Sequence, residues 1–378
     1  MRSEERVIPT SEVASGAPLP LEEPEVNGSG TPSAGLSLVR PRVPKQGPLL
    51  VAIFAAAVAT GLVLALGWSL LGAVVTALVL FTFGVTTWSA VMENRRSAVD
   101  RAMTCLVWSA LAIALVPLVS VIWKVFSAGW AVLSTQFFTY SMRNVIGEGG
   151  GIYHAIMGTL LITAGAAAIS VPVGLMCAVY LVEYGANSRL ARVITFLVDV
   201  MTGIPSIVAG LFAYALFALI FGEGIRMGFG GSVALSLLMV PIVIRSAEEM
   251  FKLVPDDLRE ASYALGVTKW RTIVRVVLPT SLAGVVTGVT LAVARVIGET
   301  APLLIIAGST DSTNTNLFAE RMMTLPVFIY YSYTQPGIPP EFGQARAWGA
   351  ALVLIAIVMA LNLVARLVGY FFSPKTRS

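Results

Sequence analysis

From Leu49 onward the chain is a succession of apolar stretches, each close to the roughly 20 residues that a helix needs to cross hydrocarbon. They are Leu49–Leu66, Leu70–Met92, Ala102–Val125, Tyr153–Leu181, Val193–Phe221, Ser232–Phe251, Ser281–Ala307 and Ala347–Phe371. Backbone polar groups in lipid must be satisfied internally, which leaves helices or a closed barrel. Continuous apolar runs of this length fit helices, so an all-α integral membrane protein with eight transmembrane helices is expected. Only 12% of the 378 residues are charged, where a soluble domain carries about 25%.

Several function classes recede on composition. The net charge of +4 resides in loops between the apolar spans and calls for no nucleic-acid partner. His154 is the only histidine, and Cys105 and Cys177 lie inside apolar runs without ligand spacing, so no metal site and no catalytic triad is expected. There is no G-x-x-x-x-G-K-[ST] run, hence no phosphate-cradling loop for ATP in this chain. Residues 1–48 are rich in Pro, Gly, Ser and Glu and are expected to be a disordered cytoplasmic tail, too polar to open a secretory signal.

Lys and Arg punctuate alternate loops. Arg40, Arg42 and Lys45 precede the first span, Arg95, Arg96 and Arg101 follow the second, and Arg189 and Arg192 follow the fourth. Lys252, Arg259, Lys269, Arg271 and Arg275 follow the sixth, and Lys375 and Arg377 close the chain. The positive-inside rule then places both termini in the cytoplasm. Gly67-Trp68-Ser69 suits a tight turn between the first two spans, and Pro172 and Pro205 are expected to bend the fourth and fifth. Glu148-Gly149-Gly150-Gly151 reads as a flexible hinge at the outer surface.

Ionisable residues inside the spans are costly and usually face a cavity or a partner. Arg245, with Glu248 and Glu249, lies in the sixth span; Arg295 and Glu299 lie in the seventh. At about 1.5 Å per residue, Arg245 sits about 20 Å in from Ser232, and Arg295 about 22 Å in from Thr280. The spans run in opposite directions, so the two backbone levels differ by about 12 Å, a gap that long side chains partly close. Two guanidinium groups along one path suit an anion, and their planar fork matches a tetrahedral oxyanion. Internal pairing is the competing reading. Arg295 and Glu299 are four apart on one helical face, and Arg245 can meet Glu248 or Glu249. Gly203-Ile204-Pro205-Ser206 interrupts the fifth span and is read either as a break lining a cavity, through Gly203, Pro205 and Ser206, or as a packing kink. Asp199, just before it, is a further buried-looking charge.

Between the sixth and seventh spans lies EASYALGVTKWRTIVRVVLP, Glu260 to Pro279. Pro255 should stop the preceding helix, and Asp256 or Asp257 with Glu260 should form a capping box for a short helix. Gly266 should end that helix in the left-handed conformation, and Thr268 should cap a second one. Pro279 should separate the second from the seventh span. Ala261 and Ala264 leave room for another protein's surface, while Tyr263 and Trp270 could fill a pocket in it.

That spacing resembles the EAA loop by which ABC importer permeases dock on a separate ATPase; here it would comprise Glu260, Ala261, Ser262, Tyr263, Ala264, Gly266 and Trp270, within a coupling loop at 252–279. Over roughly Ala102 to Phe371 the chain resembles the A-type permease subunit of the bacterial phosphate-specific ABC importer. The resemblance is carried by EGGGIYHAIMGT (Glu148–Thr159), VYLVEYG (Val179–Gly185), GIPSIVAGLF (Gly203–Phe212), VPIVIRSAEEMFKLVP (Val240–Pro255), LREASYALGVTKW (Leu258–Trp270) and ARVIGETAPLL (Ala294–Leu304). It implies a type I permease core over 102–371, with an additional N-terminal hairpin at 49–92 and a cytoplasmic tail at 372–378. It further implies a homologous second permease chain, two ATPase subunits that use ATP and Mg, and an external phosphate-binding protein. Arg245 and Arg295, with Glu299, would serve substrate translocation. Permeases for sulfate, molybdate or an organic phosphate, and a membrane sensor of phosphate status, are the competing functions.

Overall fold

The computed structural model describes residues 46–67, 70–185 and 188–372. The expected tail therefore lies almost wholly outside the described residues, as do Trp68, Ser69 and residues 373–378. The chain divides into two units at Ile113, inside a long helix.

The first unit contains α1 (Gly47–Leu66), α2 (Leu70–Met92) and the first half of α3 (Arg95–Trp130). α1 ends on Gly67, whose positive φ of 63° lets its N–H bond the Val63 carbonyl at 2.9 Å. Asn94 starts α3: its Oδ1 accepts from the N–H groups of Arg96 and Ser97 at 3.0 and 3.1 Å. An ion pair of 2.6 Å between Arg101 and Glu93 ties the end of α2 to α3.

The second unit contains the remaining helices: α4 (Thr135–Thr139), α5 (Tyr153–Val179), α6 (Arg189–Thr202), α7 (Ser206–Phe221), α8 (Gly228–Lys252), α9 (Asp256–Ala264), α10 (Lys269–Thr272), α11 (Leu278–Val296), α12 (Ala301–Ile306), α13 (Leu325–Thr334) and α14 (Pro340–Phe372). α5 runs through Pro172 and closes in a π-helical turn at Tyr180–Tyr184. α8 is its centre, packed by α5, α6, α7, α11 and α12. Leu235, Met239, Val243 and Phe251 on α8 are buried almost completely. Polar contacts pin α5 to α8 through small residues. Ser232 donates to the Ile162 carbonyl at 3.0 Å, and Ser170 to the Ser236 carbonyl at 3.4 Å. Serine allows such close approach and satisfies its hydroxyl on the neighbouring backbone.

Among the described residues, seven helices are long and apolar enough to cross a membrane, and α6 with α7 makes an eighth only as a broken pair. The span expected at Val193–Phe221 is broken where Gly203–Ser206 was expected to interrupt it, with α6 and α7 meeting at 109°. The one expected at Ser281–Ala307 is corrected: it is not one continuous helix. Proline 205 has no N–H to continue the ladder, so it caps α7 instead. The second stops at Val296, and a short irregular segment precedes α12. Pro279 fails to separate anything. α10 passes through a π turn at Ile273–Val277 directly into α11. The wide turn falls where a proline ring would otherwise meet the carbonyl four residues back, at Arg275.

The segment between α12 and α13 folds back onto α5. Leu325 donates to the Thr159 hydroxyl at 2.8 Å, and a Cβ at Gly158 would run into the Met323 carbonyl oxygen. A backbone oxygen cannot rotate away as a side chain can. Gly158→Ala is expected to lower the stability of the purified protein by about 1–3 kcal/mol. Thermal unfolding measures this, and an unchanged midpoint would show that the backbones do not approach so closely.

Candidate functional site

Two gaps in helices meet at one place. Gly203 ends α6, with its N–H on the Val200 carbonyl at 3.1 Å, and Pro205 and Ser206 begin α7. α11 ends at Val296, where the Glu299 N–H bonds the Val296 carbonyl at 3.1 Å before α12 opens. Between these ends and the middle of α8 lies a cavity of ≈ 340 Å³, lined by Pro205, Ser206, Pro241, Ile242, Arg295 and Glu299 among others. The first N–H groups of α7 have no partner inside their own helix, so a partly positive helix end faces this space.

Arg295 occupies the last turn of α11 and is exposed to the cavity. Among the described residues its guanidinium makes no hydrogen bond and no ion pair. The competing reading of a helical Arg295–Glu299 pair is not met: Glu299 lies beyond the helix end, in the irregular turn, so the four-residue spacing does not set the two side by side.

Arg245 is held differently. It donates to Glu248 at 2.9 Å and also pairs with Asp199 on α6. Asp199 is thus an exposed partner and not the buried charge that its sequence position implied; its side chain is 59% exposed. Glu248 also receives Lys252 at 2.7 Å. Arg245 does not line the Arg295 cavity; Pro241 and Ile242, one turn earlier on α8, do. The two arginines are not brought into one pocket here.

The loop after α8 forms the two short helices expected, with differences at their caps. α9 begins behind Pro255 without a side-chain cap, so the capping box is absent. Asp256 and Asp257 instead occupy the first turn, where carboxylates favour the positive helix end. Gly266 has φ of 74°, the left-handed conformation that lets the chain turn after Leu265. Thr268 stands at the N-cap of α10, again without a side-chain bond. Glu260, Ala261, Tyr263, Ala264, Gly266 and Trp270 are exposed, Trp270 by 62%. Ser262 points inward and meets the Thr272 hydroxyl at 2.8 Å, joining the two short helices. Partial burial raises the Tyr263 phenol above its ordinary range, with the Glu183 charge adding and Arg259 opposing.

A buried charge cluster that sequence reading missed anchors this loop. Arg259 donates to Glu183 at 3.0 Å, to the carbonyls of Phe251 and Val254 at 2.8 and 2.5 Å, and to Asp256 at 3.0 Å. Lys269 donates to the Glu183 carbonyl and lies 4.9 Å over the Tyr184 ring. The π turn at the end of α5 thereby becomes the seat of the loop. The available signal was weak: one acid ending a span and one arginine beside Glu260, separated by 76 positions.

Residues 170–378 match the family described as the inner membrane component of binding-protein-dependent transport systems. Over 286 residues the chain is 46% identical to "Phosphate transport system permease protein PstA 1" of Mycobacterium tuberculosis H37Rv, covering 75% of this chain and 91% of that one. It is 41% identical to "Phosphate transport system permease protein PstA" of Yersinia pestis, over 65% of this chain and 83% of that one. The chain belongs to this family of permeases. A permease chain of a bacterial alginate ABC transporter shares the fold, with a TM-score of 0.51 at 14% identity over 71% of this chain and 96% of that one. As a member of this family it is a multi-pass inner membrane protein and a transport component, not an enzyme. Its family is described as serving binding-protein-dependent transport.

Truncating one member of a buried ion pair leaves the other charge uncompensated, at a cost of about 3–5 kcal/mol. Arg259→Ala is accordingly expected to loosen the loop at 252–279. Limited proteolysis of the purified permease should cut that loop at least about tenfold faster, while cleavage elsewhere is unchanged. Equal rates would show that Arg259 does not hold it.

Proposed function

We propose that this chain is the A-type permease subunit of an ATP-driven inorganic phosphate importer, with the Arg295 cavity on the ion's path. The observation that carries this reading is the pairing of an unsatisfied guanidinium with the N-terminal end of α7 across one cavity. Both features favour a negative ligand, and broken helices facing an anion are a recurrent transporter device. A tetrahedral oxyanion could take Arg295 on one side and the backbone N–H groups and hydroxyl of Ser206 on the other. Glu299 would oppose it electrostatically, which prevents tight trapping and helps release. The names of the relatives supply phosphate as the cargo; sulfate and molybdate share its geometry and are separated only by competition.

Arg245 contributes through exchange. Its bond to Asp199 crosses from α8 to α6, while that to Glu248 stays within α8, so opening the Asp199 contact would release α6 and free part of the guanidinium. Gly203, Pro205 and Ser206 would act as the joint of this movement. ATP and Mg would be bound by the partner ATPases and not by this chain. The exposed face of Glu260, Ala261, Tyr263, Ala264, Gly266 and Trp270 would seat on an ATPase, with Ser262 holding the two helices of the loop together. The continuous α10–α11 rod would carry the movement from that surface to Arg295 at its other end.

The full assembly in this reading has a homologous second permease (PstC-like), two ATPases (PstB-like) and an external phosphate-binding protein (PstS-like). The arginine- and lysine-rich loops support a topology with both termini and the ATPase-docking loop in the cytoplasm. The hairpin of α1 and α2 is an addition to a permease core at 102–371.

Charge-assisted hydrogen bonds are worth about 1.5–3 kcal/mol each. Arg295→Gln should therefore reduce phosphate uptake by about 10–100-fold in vesicles, with the four kinds of subunit still copurifying. Normal uptake by that assembled complex would remove Arg295 from the path. Tyr263→Ala combined with Trp270→Ala should instead cost ATPase copurification, because two exposed aromatic anchors would be lost. Full recovery of the ATPase would show that the loop face is not the docking surface.

A further inference from the structure

A second cavity, of ≈ 410 Å³, lies at the end of the permease unit where α14 begins, between α13 and the 309–311 turn. Ser309, Thr310, Asp311, Ser332, Gln335 and Arg346 bring polar groups to its wall. Arg346, in the second turn of α14, donates through Nη1 to the carbonyls of Gly147 and Gly149 at 2.7 and 3.1 Å. Those bonds pin the segment read as a flexible hinge. Its Nε is enclosed and has no hydrogen-bond partner among the described residues. Among the described residues no carboxylate forms an ion pair with Arg346, and Asp311 on the same wall stays out of reach.

A partly buried guanidinium whose partners are all neutral is short of compensation. The hydroxyls of Ser309 and Ser332 and the Gln335 amide make no hydrogen bond to the protein among the described residues. The Thr310 hydroxyl accepts from the Ser312 N–H at 3.3 Å and keeps its own proton to donate. Four donors thus stand around one uncompensated cation.

We propose that this cavity is a second anion site of the permease, holding a tetrahedral oxyanion through Arg346, Ser309, Thr310, Ser332 and Gln335 before it reaches Arg295. Phosphate as the particular ion rests on the function proposed above; the anion site itself does not. Asp311 weakens the site, which keeps the ion exchangeable.

The test uses the assembled importer in nanodiscs, treated with phenylglyoxal, with modification of Arg346 followed by peptide mass spectrometry. Inorganic phosphate at several times its dissociation constant should slow that modification at least about threefold, and equal chloride should not. Ser309→Ala with Ser332→Ala, which leaves Arg346 and its loop contacts in place, should reduce the protection, and Asp311→Asn should increase it. Protection should persist in an Arg295→Gln complex whatever becomes of its uptake. Protection by sulfate but not phosphate would uphold the anion site while counting against phosphate as the cargo. Equal modification with and without either anion would overturn the proposal. So would protection by anionic lipid alone, or by the binding protein alone, since either would assign Arg346 to a headgroup or to a partner's carboxylate.

Discussion

The uncompensated positive charge of Arg295 is the constraint around which the permease unit makes sense. A guanidinium at that depth is costly unless something negative is available to it. The protein supplies no fixed carboxylate partner among the described residues. It supplies a cavity and a helix end whose polarity matches the arginine. An environment that is positive on two sides and open between them is suited to a transient anion, whereas a closed ion pair must first open to admit one.

The two arginines share a residue type but not a condition. Arg245 is tied to Asp199 and Glu248 and bridges α8 to α6, whereas Arg295, at a helix end, has no ion pair among the described residues. In the proposed reading one serves as a latch between elements and the other as a receptor. The same contrast recurs farther along. Arg259 is locked onto Glu183 and holds the loop at the opposite end of α11, while Arg346 has neutral partners and faces a cavity. In each contrast the arginine with a carboxylate partner ties elements together, and the one without such a partner among the described residues lines a cavity.

Much of this was legible in the sequence, for physical reasons. Lipid demands long apolar runs, so helices such as α5, α8 and α14 announce themselves by length. The short helices after Pro255 were legible because Gly266 has only one economical use there. Other features were hidden because hydropathy is blind to backbone continuity. Apart from Arg295 and Glu299, Ser281–Ala307 is apolar enough to read as one span, yet the helix stops at Val296. Pro279 looked like a boundary, yet a π turn lets the helix pass it. Pairings across distant segments, such as Arg245 with Asp199 and Arg259 with Glu183, leave no spacing to read. Ser262 was counted with an exposed face but turns inward to Thr272, because nine residues of helix cannot show every side to a partner.

The central claim is that the space between α7, α8 and the end of α11 is a water-filled part of the ion's route. The direct measurement is thiol accessibility at Ser206→Cys, in a chain whose Cys105 and Cys177 are replaced by Ser, within the assembled importer. The account predicts labelling by a small water-soluble reagent at a rate that changes between nucleotide-free and ATP-bound states and falls when phosphate is present. A cysteine at that position that stays unlabelled in every nucleotide state, or labels at one rate regardless of phosphate, would contradict it.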